Sequence, residues 1–291
     1  MSRRYVQLDV FAGHPGDGNP LAVVIDGDGL DEAAMQAIAR WTRLPETTFV
    51  LPATDPGADY RLRIFSPRRE VPFAGHPSVG TAHAVLEAGI ASARDGQLVQ
   101  EGVAGLLPLR VEGEGARRTI AVRTPRARVM EIASPGDPRL HASLRGLPLG
   151  RLPPALMDGG RRWWLVELSD ETALRAATPD WNAISDLAHA TGSMGVCVFA
   201  RSDDPVYYLA VRAWVGAPAH FEDAASGAAN ATLAAWLASR DALPGDTGFY
   251  RVSQGREVGH DAIIELRVDD DGEVWSGGRA CTVVRGAIDW P

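Results

Sequence analysis

The chain contains no lysine: all 29 of its basic residues are arginine. Chemistry that rests on an amine side chain is therefore excluded. That covers a pyridoxal-phosphate Schiff base, a lysine carbanion enzyme and the lysine of a phosphate-binding loop. Cysteine is nearly as scarce. Cys197 and Cys281 stand far apart, without partners at metal-ligand spacing, so neither a disulfide framework nor a zinc or other metal site is expected, and a reducing compartment fits. No stretch approaches about 18 uninterrupted apolar residues, and Asp9 interrupts at once behind the basic start at Arg3-Arg4. The expectation is a cytoplasmic protein with neither leader nor membrane span. Positive charge is in deficit too, at a net −8. The short runs Arg68-Arg69, Arg117-Arg118 and Arg161-Arg162 read as solvated loops, and nucleic acid is not an expected partner. No Gly-x-Ser-x-Gly elbow is present, which speaks against a serine hydrolase.

What remains is an ordinary globular composition, 45% hydrophobic and 23% charged over 291 residues, with length enough for two domains. Val6, Leu8 and Val10 alternate with Gln7 and Asp9 as in a half-buried strand. A loop over Gly13 to Pro20 leads to a second strand, Leu21 to Ile25. Asp31 caps a helix whose Ala34, Ile38 and Trp41 fall on one face. Pro45 to Leu51 reads as a loop feeding a strand, and Tyr60 to Phe65 as a further strand. The stretch Arg126 to Pro154, rich in proline and glycine, reads as a crossover, giving an N-terminal lobe over residues 1–125 and a C-terminal lobe over 126–291. The last strand is free to return to the first lobe.

The stretch Phe73-Ala74-Gly75-His76-Pro77-Ser78-Val79-Gly80-Thr81-Ala82-His83 reads as one of two copies of a single pattern. Sliding the chain by 147 positions (76 to 223, 80 to 227, 83 to 230) lays His76, Gly80 and His83 over Asp223, Gly227 and Asn230. In both copies a titratable side chain stands just ahead of a glycine-containing turn that opens a small, apolar helix. Helix N-termini offer unpaired N–H groups and partial positive charge, so two of them facing one cleft would attract a carboxylate.

Several segments together resemble the phenazine-biosynthesis PhzF-like isomerases. They are Asp9-Val10-Phe11, Gly18-Asn19-Pro20-Leu21-Ala22-Val23-Val24, Glu46-Thr47-Thr48-Phe49, Arg63-Ile64-Phe65-Ser66-Pro67, Gly75 to His83, Glu222-Asp223 and Gln254-Gly255. They are dense over residues 5–90 and thinner from about 190 to 285. The resemblance implies an α+β, diaminopimelate-epimerase-like fold of two pseudo-symmetric lobes, each a curved, mostly antiparallel sheet around a central helix, with the site in the cleft between them. It implies cofactor-independent isomerisation in secondary metabolism, such as antibiotic biosynthesis. The substrate would be a small unsaturated amino or carboxylic acid, either dihydro-hydroxyanthranilate-like or a precursor of an alkyl-proline, and a homodimer is expected.

By the same resemblance Glu46 is the general acid/base, a role that needs a carboxyl shifted toward neutrality by burial. His76 and Asp223 are the other catalytic positions. The backbone around Gly75, Ser78, Val79 and Gly80, and around Ser226, Gly227 and Ala228, would hold the substrate carboxylate, with Asn19 lining the cleft. His83 and Asn230 are expected to be structural, and His14 has no established counterpart. The chain departs from the family where Ala228 stands for a serine and where Gly259-His260-Asp261 replaces Gly-Arg-Pro. A lost hydrogen bond to a buried ligand costs about 1–3 kcal/mol, enough to favour a different substrate. Two alternatives stay open: a cofactor-independent amino-acid epimerase, which uses two thiolates at helix N-termini, and a catalytically silent small-molecule-binding protein on the same fold.

Overall fold

A computed structural model describes residues 2–134 and 136–290. Two compact units emerge: the first takes in the residues up to Arg123 and those from Gly277 onward, and the second runs Thr124–Ser276. The fold is α+β throughout.

In the first unit the chain runs β1 (Ser2–Val10), β2 (Asn19–Val24), α1 (Glu32–Thr42), β3 (Glu46–Leu51), β4 (Tyr60–Phe65), β5 (Glu70–Val71), α2 (Gly75–Glu87), β6 (Gln97–Gly102), β7 (Gly105–Glu112) and β8 (Thr119–Arg123). The second continues with β9 (Arg128–Ile132), α3 (Pro138–His141), β10 (Ala155–Asp158), β11 (Arg162–Glu167), α4 (Glu171–Ala176), α5 (Trp181–Thr191), β12 (Gly195–Arg201), β13 (Leu209–Val215), β14 (Phe221–Asp223), α6 (Gly227–Ser239), β15 (Phe249–Gln254), β16 (Ala262–Val268) and the first three residues of β17 (Val274–Gly278). The chain then returns to the first unit as β18 (Ala280–Asp289), antiparallel to β1.

The strand registers establish an internal repeat. The pairs β1–β2, β3–β4, β4–β5 and β6–β7 are antiparallel while β2–β3 and β4–β6 are parallel. The same pattern recurs in β10–β11, β12–β13, β13–β14, β15–β16, β11–β12 and β13–β15. The pair Thr47–Phe65 recurs as Val196–Trp214, an offset of 149 residues (47 to 196, 65 to 214). After the β4–β5 hairpin the offset becomes 152, since Phe65–Glu70 recurs as Trp214–Glu222 and both long helices then start in step, at Gly75 and Gly227.

This corrects the overlay by 147 residues. Structurally His76 corresponds to Ala228, Asp223 to Val71 and Glu46 to Gly195. The sequence overlay slipped because it matched two glycines with different jobs. Gly227 is the first residue of its helix, whereas Gly80 lies within α2 at a close approach to the sheet. A Cβ at Gly80 would stand 2.6–2.8 Å from side-chain atoms of Leu21, Val10 and Leu8.

Helices α2 and α6 show no exposed polar stripe, α2 being buried from Gly75 to Val85 and α6 over most of its length, as in a buried rather than an amphipathic helix. α2 packs against β1, β2, β3, β4, β8 and β18, and α6 against β10, β11 and β16. α1 is amphipathic, its N-cap Asp31 accepting from the Ala34 N–H at 2.8 Å. Its buried face is Met35, Ile38 and Ala39, about a quarter turn from the expected Ala34–Ile38–Trp41 stripe. Trp41 is instead 63% exposed and lies against Trp290, with ring centroids 6.2 Å apart. β2, β3 and β4 already cover the Met35 side with Val24, Phe49, Leu51 and Phe65, so that side buries the larger apolar area. The crossover expected over Arg126 to Pro154, in which residue 135 lies outside the described residues, is more than a linker. It supplies β9 on β10, and Leu140 and Leu144 to the second core.

Replacing Gly80 by alanine gains about 1 kcal/mol of helix propensity but forces a methyl into an occupied space, at roughly 1–3 kcal/mol. Gly80→Ala is expected to lower the urea midpoint, and an unchanged or raised midpoint would show the interface to be looser than these distances.

His83 is 5% exposed inside α2, with Nε2 3.3 Å from Glu87 Oε1. Burial lowers its pKa below the usual 6.5 and outweighs the pull of the Glu87 carboxylate. The folded chain then binds this proton less readily than the unfolded one. The contribution of the neutral ring is full above about pH 6.5 and is lost as the pH falls below it. Stability between about pH 7 and pH 5 should fall less steeply in His83→Asn than in the parent; parallel curves would assign the loss to other groups.

Candidate active site

The first unit brings Glu46 and His76 together. Glu46 opens β3, opposite Leu21 of the parallel strand β2. His76 occupies the second position of α2, after the N-cap Ala74 and Gly75. His76 Nε2 stands 3.5 Å from Glu46 Oε2, with the side chains 8% and 14% exposed. His76 therefore lies inside the first helical turn rather than ahead of it. Pro77 follows at the third position, where the helix has no intrahelical partner for an N–H and proline does no harm.

Buried polar contacts fix this arrangement. The hydroxyls of Thr48 and Thr81 are 2.8 Å apart, both buried, tying β3 to α2 two residues beyond Glu46 and five beyond His76. Thr47 is held by the Thr42 hydroxyl at 2.8 Å. The Ser78 hydroxyl donates to the Ala74 carbonyl at 3.1 Å and accepts from Gln100 Nε2 at 3.2 Å. Its backbone N–H closes the first helical bond, also to Ala74 O. The expected anion cradle over Gly75 to Gly80 is thus narrowed: Gly75 and His76 precede that first bond, whereas Val79 and Gly80 belong to the helical ladder. Asn19 is 2% exposed at the start of β2, opposite Val10.

In the second unit Asp223 ends the three-residue strand β14 and the turn Ala224-Ala225-Ser226 leads into α6. Ser226 caps the helix, its hydroxyl accepting from Ala229 N–H at 3.3 Å. Gly227 and Ala228 fill the first two positions, with a methyl at 228. Gln254 organises the turn. Its Oε1 accepts from Ser226 N–H at 3.2 Å and from Asn230 Nδ2 at 2.7 Å, while Nε2 donates to Asp223 O at 2.8 Å. Gly255 follows with φ +96°, and a Cβ there would lie 2.3 Å from Ala224 O. His260 stands beside it: that same Cβ position is 3.1 Å from the His260 Cβ.

Ser78 and Asn230 correspond at the 152-residue offset, so each buried helix meets a glutamine from a neighbouring strand at the same position. Nothing in composition or spacing singled out Gln100, and Thr48 and Thr81 were visible only inside the segments that carry the family resemblance. Gln254 was visible only as part of a motif. His14 is exposed and 3.4 Å from Asp17, remote from these contacts in character.

The thiols lie elsewhere. Cys197 is fully buried in β12, and burial, reinforced by the Asp223 charge, pushes it up to about 12. Cys281 lies in β18, raised by burial and by the carboxylates of Asp9 and Glu87. Neither is at a helix N-terminus, and a protonated thiol is a poor base. Among the described residues no group of three or more His, Cys, Asp or Glu side chains could hold a metal ion. Among the same residues no helix is long and apolar enough to cross a membrane.

Residues 8–286 match the family model for phenazine biosynthesis-like proteins, PhzC-PhzF. The trans-2,3-dihydro-3-hydroxyanthranilate isomerase of Pseudomonas aeruginosa is 33% identical, over 93% of this chain and 92% of that protein. Antisense-enhancing sequence 1 of Schizosaccharomyces pombe is also 33% identical, covering 97% of each. Among solved structures, the PhzF-family phenazine biosynthesis protein of Bacillus anthracis superposes with a TM-score of 0.82 over the whole of both chains, at 23% identity.

Gln254→Met removes the partner of a backbone carbonyl, a backbone N–H and a buried amide at once. The expected loss is roughly 2–4 kcal/mol by chemical denaturation, at about 1–3 for each group left unsatisfied with partial relaxation. A loss below about 1 kcal/mol would mean that the turn keeps its shape without this side chain.

Proposed function

Because the chain belongs to the phenazine biosynthesis-like (PhzC-PhzF) family of isomerases and epimerases, we propose that it is a cofactor-independent isomerase. It would move a proton, and with it a double bond, within a small unsaturated amino or carboxylic acid. The observation that carries this reading is the nearly buried Glu46–His76 pair, 3.5 Å apart, at the N-terminal end of the buried helix α2.

Glu46 takes the proton. As its carboxylate accepts hydrogen from carbon, the electron pair of the broken C–H bond becomes the new π bond and the old double bond shifts along the allylic system. The same carboxyl then returns its proton to the far carbon, so charge and atoms balance with no external redox partner. His76 orients Glu46 and hydrogen-bonds a polar substituent of the substrate. The N–H groups of the first turn of α2 attract the substrate carboxylate through the helix dipole. In the second unit Asp223 is the group that binds the substrate's amino or hydroxyl function, with the Ser226–Ala228 backbone assisting.

Two features favour one carboxyl as donor and acceptor over a two-base epimerase. The residue corresponding to Glu46 in the second unit is Gly195, where a Cβ would fall 2.0 Å from Trp214 O, so no second carboxylate can occupy that place. The two thiols are buried or raised and lie in strands. Ala228, with no hydroxyl, points to a substrate less polar at one end than dihydro-hydroxyanthranilate, for example a diene precursor of an alkyl-proline.

The test uses trans-2,3-dihydro-3-hydroxyanthranilate and diene carboxylic acids in deuterated water. The double bond is expected to shift, with label at the receiving carbon to the extent that the Glu46 carboxyl exchanges with solvent before returning the proton, and Glu46→Gln should lose about 10²–10⁴-fold in kcat. Undiminished turnover by Glu46→Gln would remove Glu46 from the role.

A further inference from the structure

One side-chain device is built into both units, and the proton-transfer scheme does not use it. In the first unit Arg63 lies across the β4–β5 hairpin from Glu70, its Nε and a terminal nitrogen each 2.7 Å from the two carboxylate oxygens. The guanidinium carbon sits 5.1 Å from the centroid of the Phe65 ring. In the second unit Arg212 makes the same bidentate pair with Glu222, at 2.9 and 2.7 Å, and lies 5.3 Å from the Trp214 ring. The three partners correspond under the repeat: Arg63 with Arg212, Phe65 with Trp214, Glu70 with Glu222. Each arginine is thus clamped between a carboxylate and an aromatic face on one side of a hairpin.

The second copy is the more committed. Arg212 and Glu222 have side chains only 5% and 4% exposed. A further nitrogen of Arg212 donates to the carbonyls of Leu174, at 3.0 Å, and Ala177, at 2.6 Å, at the end of α4. A buried pair this fully bonded cannot swing without leaving an uncompensated charge. Glu222 directly precedes Asp223 in a strand of three residues, opposite Trp214, while Asp223 is opposite Ala213. Successive side chains of a strand point to opposite faces. With Glu222 anchored on the Arg212 face, Asp223 has to project from the other.

We propose that Arg212 and Glu222 are positioning residues for Asp223, and that Arg63 and Glu70 do the same for the turn that leads to His76. Glu222, although it adjoins Asp223, then takes no proton itself: it is a strut whose carboxylate is spent on Arg212. The proposal rests on the reading of Asp223 and His76 as substrate-contacting groups.

The test is a double-mutant cycle with trans-2,3-dihydro-3-hydroxyanthranilate, comparing Glu222→Gln, Asp223→Asn and the pair. Glu222→Gln should lower kcat about tenfold or more with KM changed far less, as a misplacement of about 1 Å costs up to 10²-fold. The double variant should be no slower than Asp223→Asn alone, because both changes act through one group. Losses that multiply, or a Glu222→Gln enzyme with the parental kcat, overturn the proposal. A crystal structure of Arg212→Lys, which keeps the charge but not the fork, gives a readout independent of turnover. A displaced Asp223 carboxylate supports the assignment and an unmoved one overturns it. Should the parent chain turn over neither this compound nor the diene carboxylic acids, that would count against the isomerase reading while the crystallographic arm still decides this one. Should the buried pair not tolerate substitution, the partly exposed Arg63–Glu70 pair supports the same cycle with Glu70→Gln and His76→Asn, read by the same criteria.

Discussion

Burying a helix on all of its sides leaves no solvent to satisfy its polar side chains, and the rest of this structure follows from that constraint. Every polar group on α2 and α6 needs a protein partner or costs free energy. The partners come from the surrounding strands: Thr48 for Thr81, Gln100 for Ser78, Gln254 for Asn230. Each contact is directional, so it also fixes how far along its axis the helix sits. In the first unit that sets the approach of His76 to Glu46. The bonds that keep the core satisfied are the same bonds that hold the candidate site.

The repeat shows how one architecture supports unequal halves. Strand pairing, the buried helix, the glutamine brace and the arginine clamp occur in both units, so these are parts of the fold, and the clamp does its positioning from there. The Glu46–His76 pair occurs once, with Gly195 and Ala228 at the corresponding places. A second asymmetry is the eight-residue connection between β1 and β2, where β10 and β11 are joined by three residues. Features shared by both halves are constrained by packing, and features found in one half are where chemistry has been added to it.

The charged networks illustrate how environment decides role. Arg4–Asp26 and Arg256–Asp261 lie on the surface and contribute little to stability. Arg212–Glu222 has the same chemistry but is buried. There its worth is geometric: removing Arg212 strands the Glu222 carboxylate in a low-dielectric interior, and removing Glu222 leaves Arg212 only the more distant Glu257 carboxylate, 3.9 Å away. Burial likewise keeps Cys197 protonated and inert, although it is the same thiol that would serve as a base at an open helix end.

Much of this was legible in the sequence, because it is local. Alternation located β1, the Asp31 cap located α1, and the glycine-containing turns at Gly75 and Gly227 marked the start of two helices rich in small and apolar residues. The segments from Asp9 to His83, with Glu222-Asp223 and Gln254-Gly255 further on, were enough to name the family. Only the tertiary structure decided the register of the repeat, 149 and then 152 residues rather than 147, since that depends on which strands pair and on three extra residues in a hairpin. It also decided which face of α1 is buried and which first-turn N–H groups precede the helical ladder. The Thr48–Thr81 contact, the two glutamines and the arginine clamps were invisible for one physical reason. Each is a matter of distance and angle in space, whether its members stand 33 residues apart, as Thr48 and Thr81 do, or only seven, as Arg63 and Glu70 do, and spacing along the chain does not carry these.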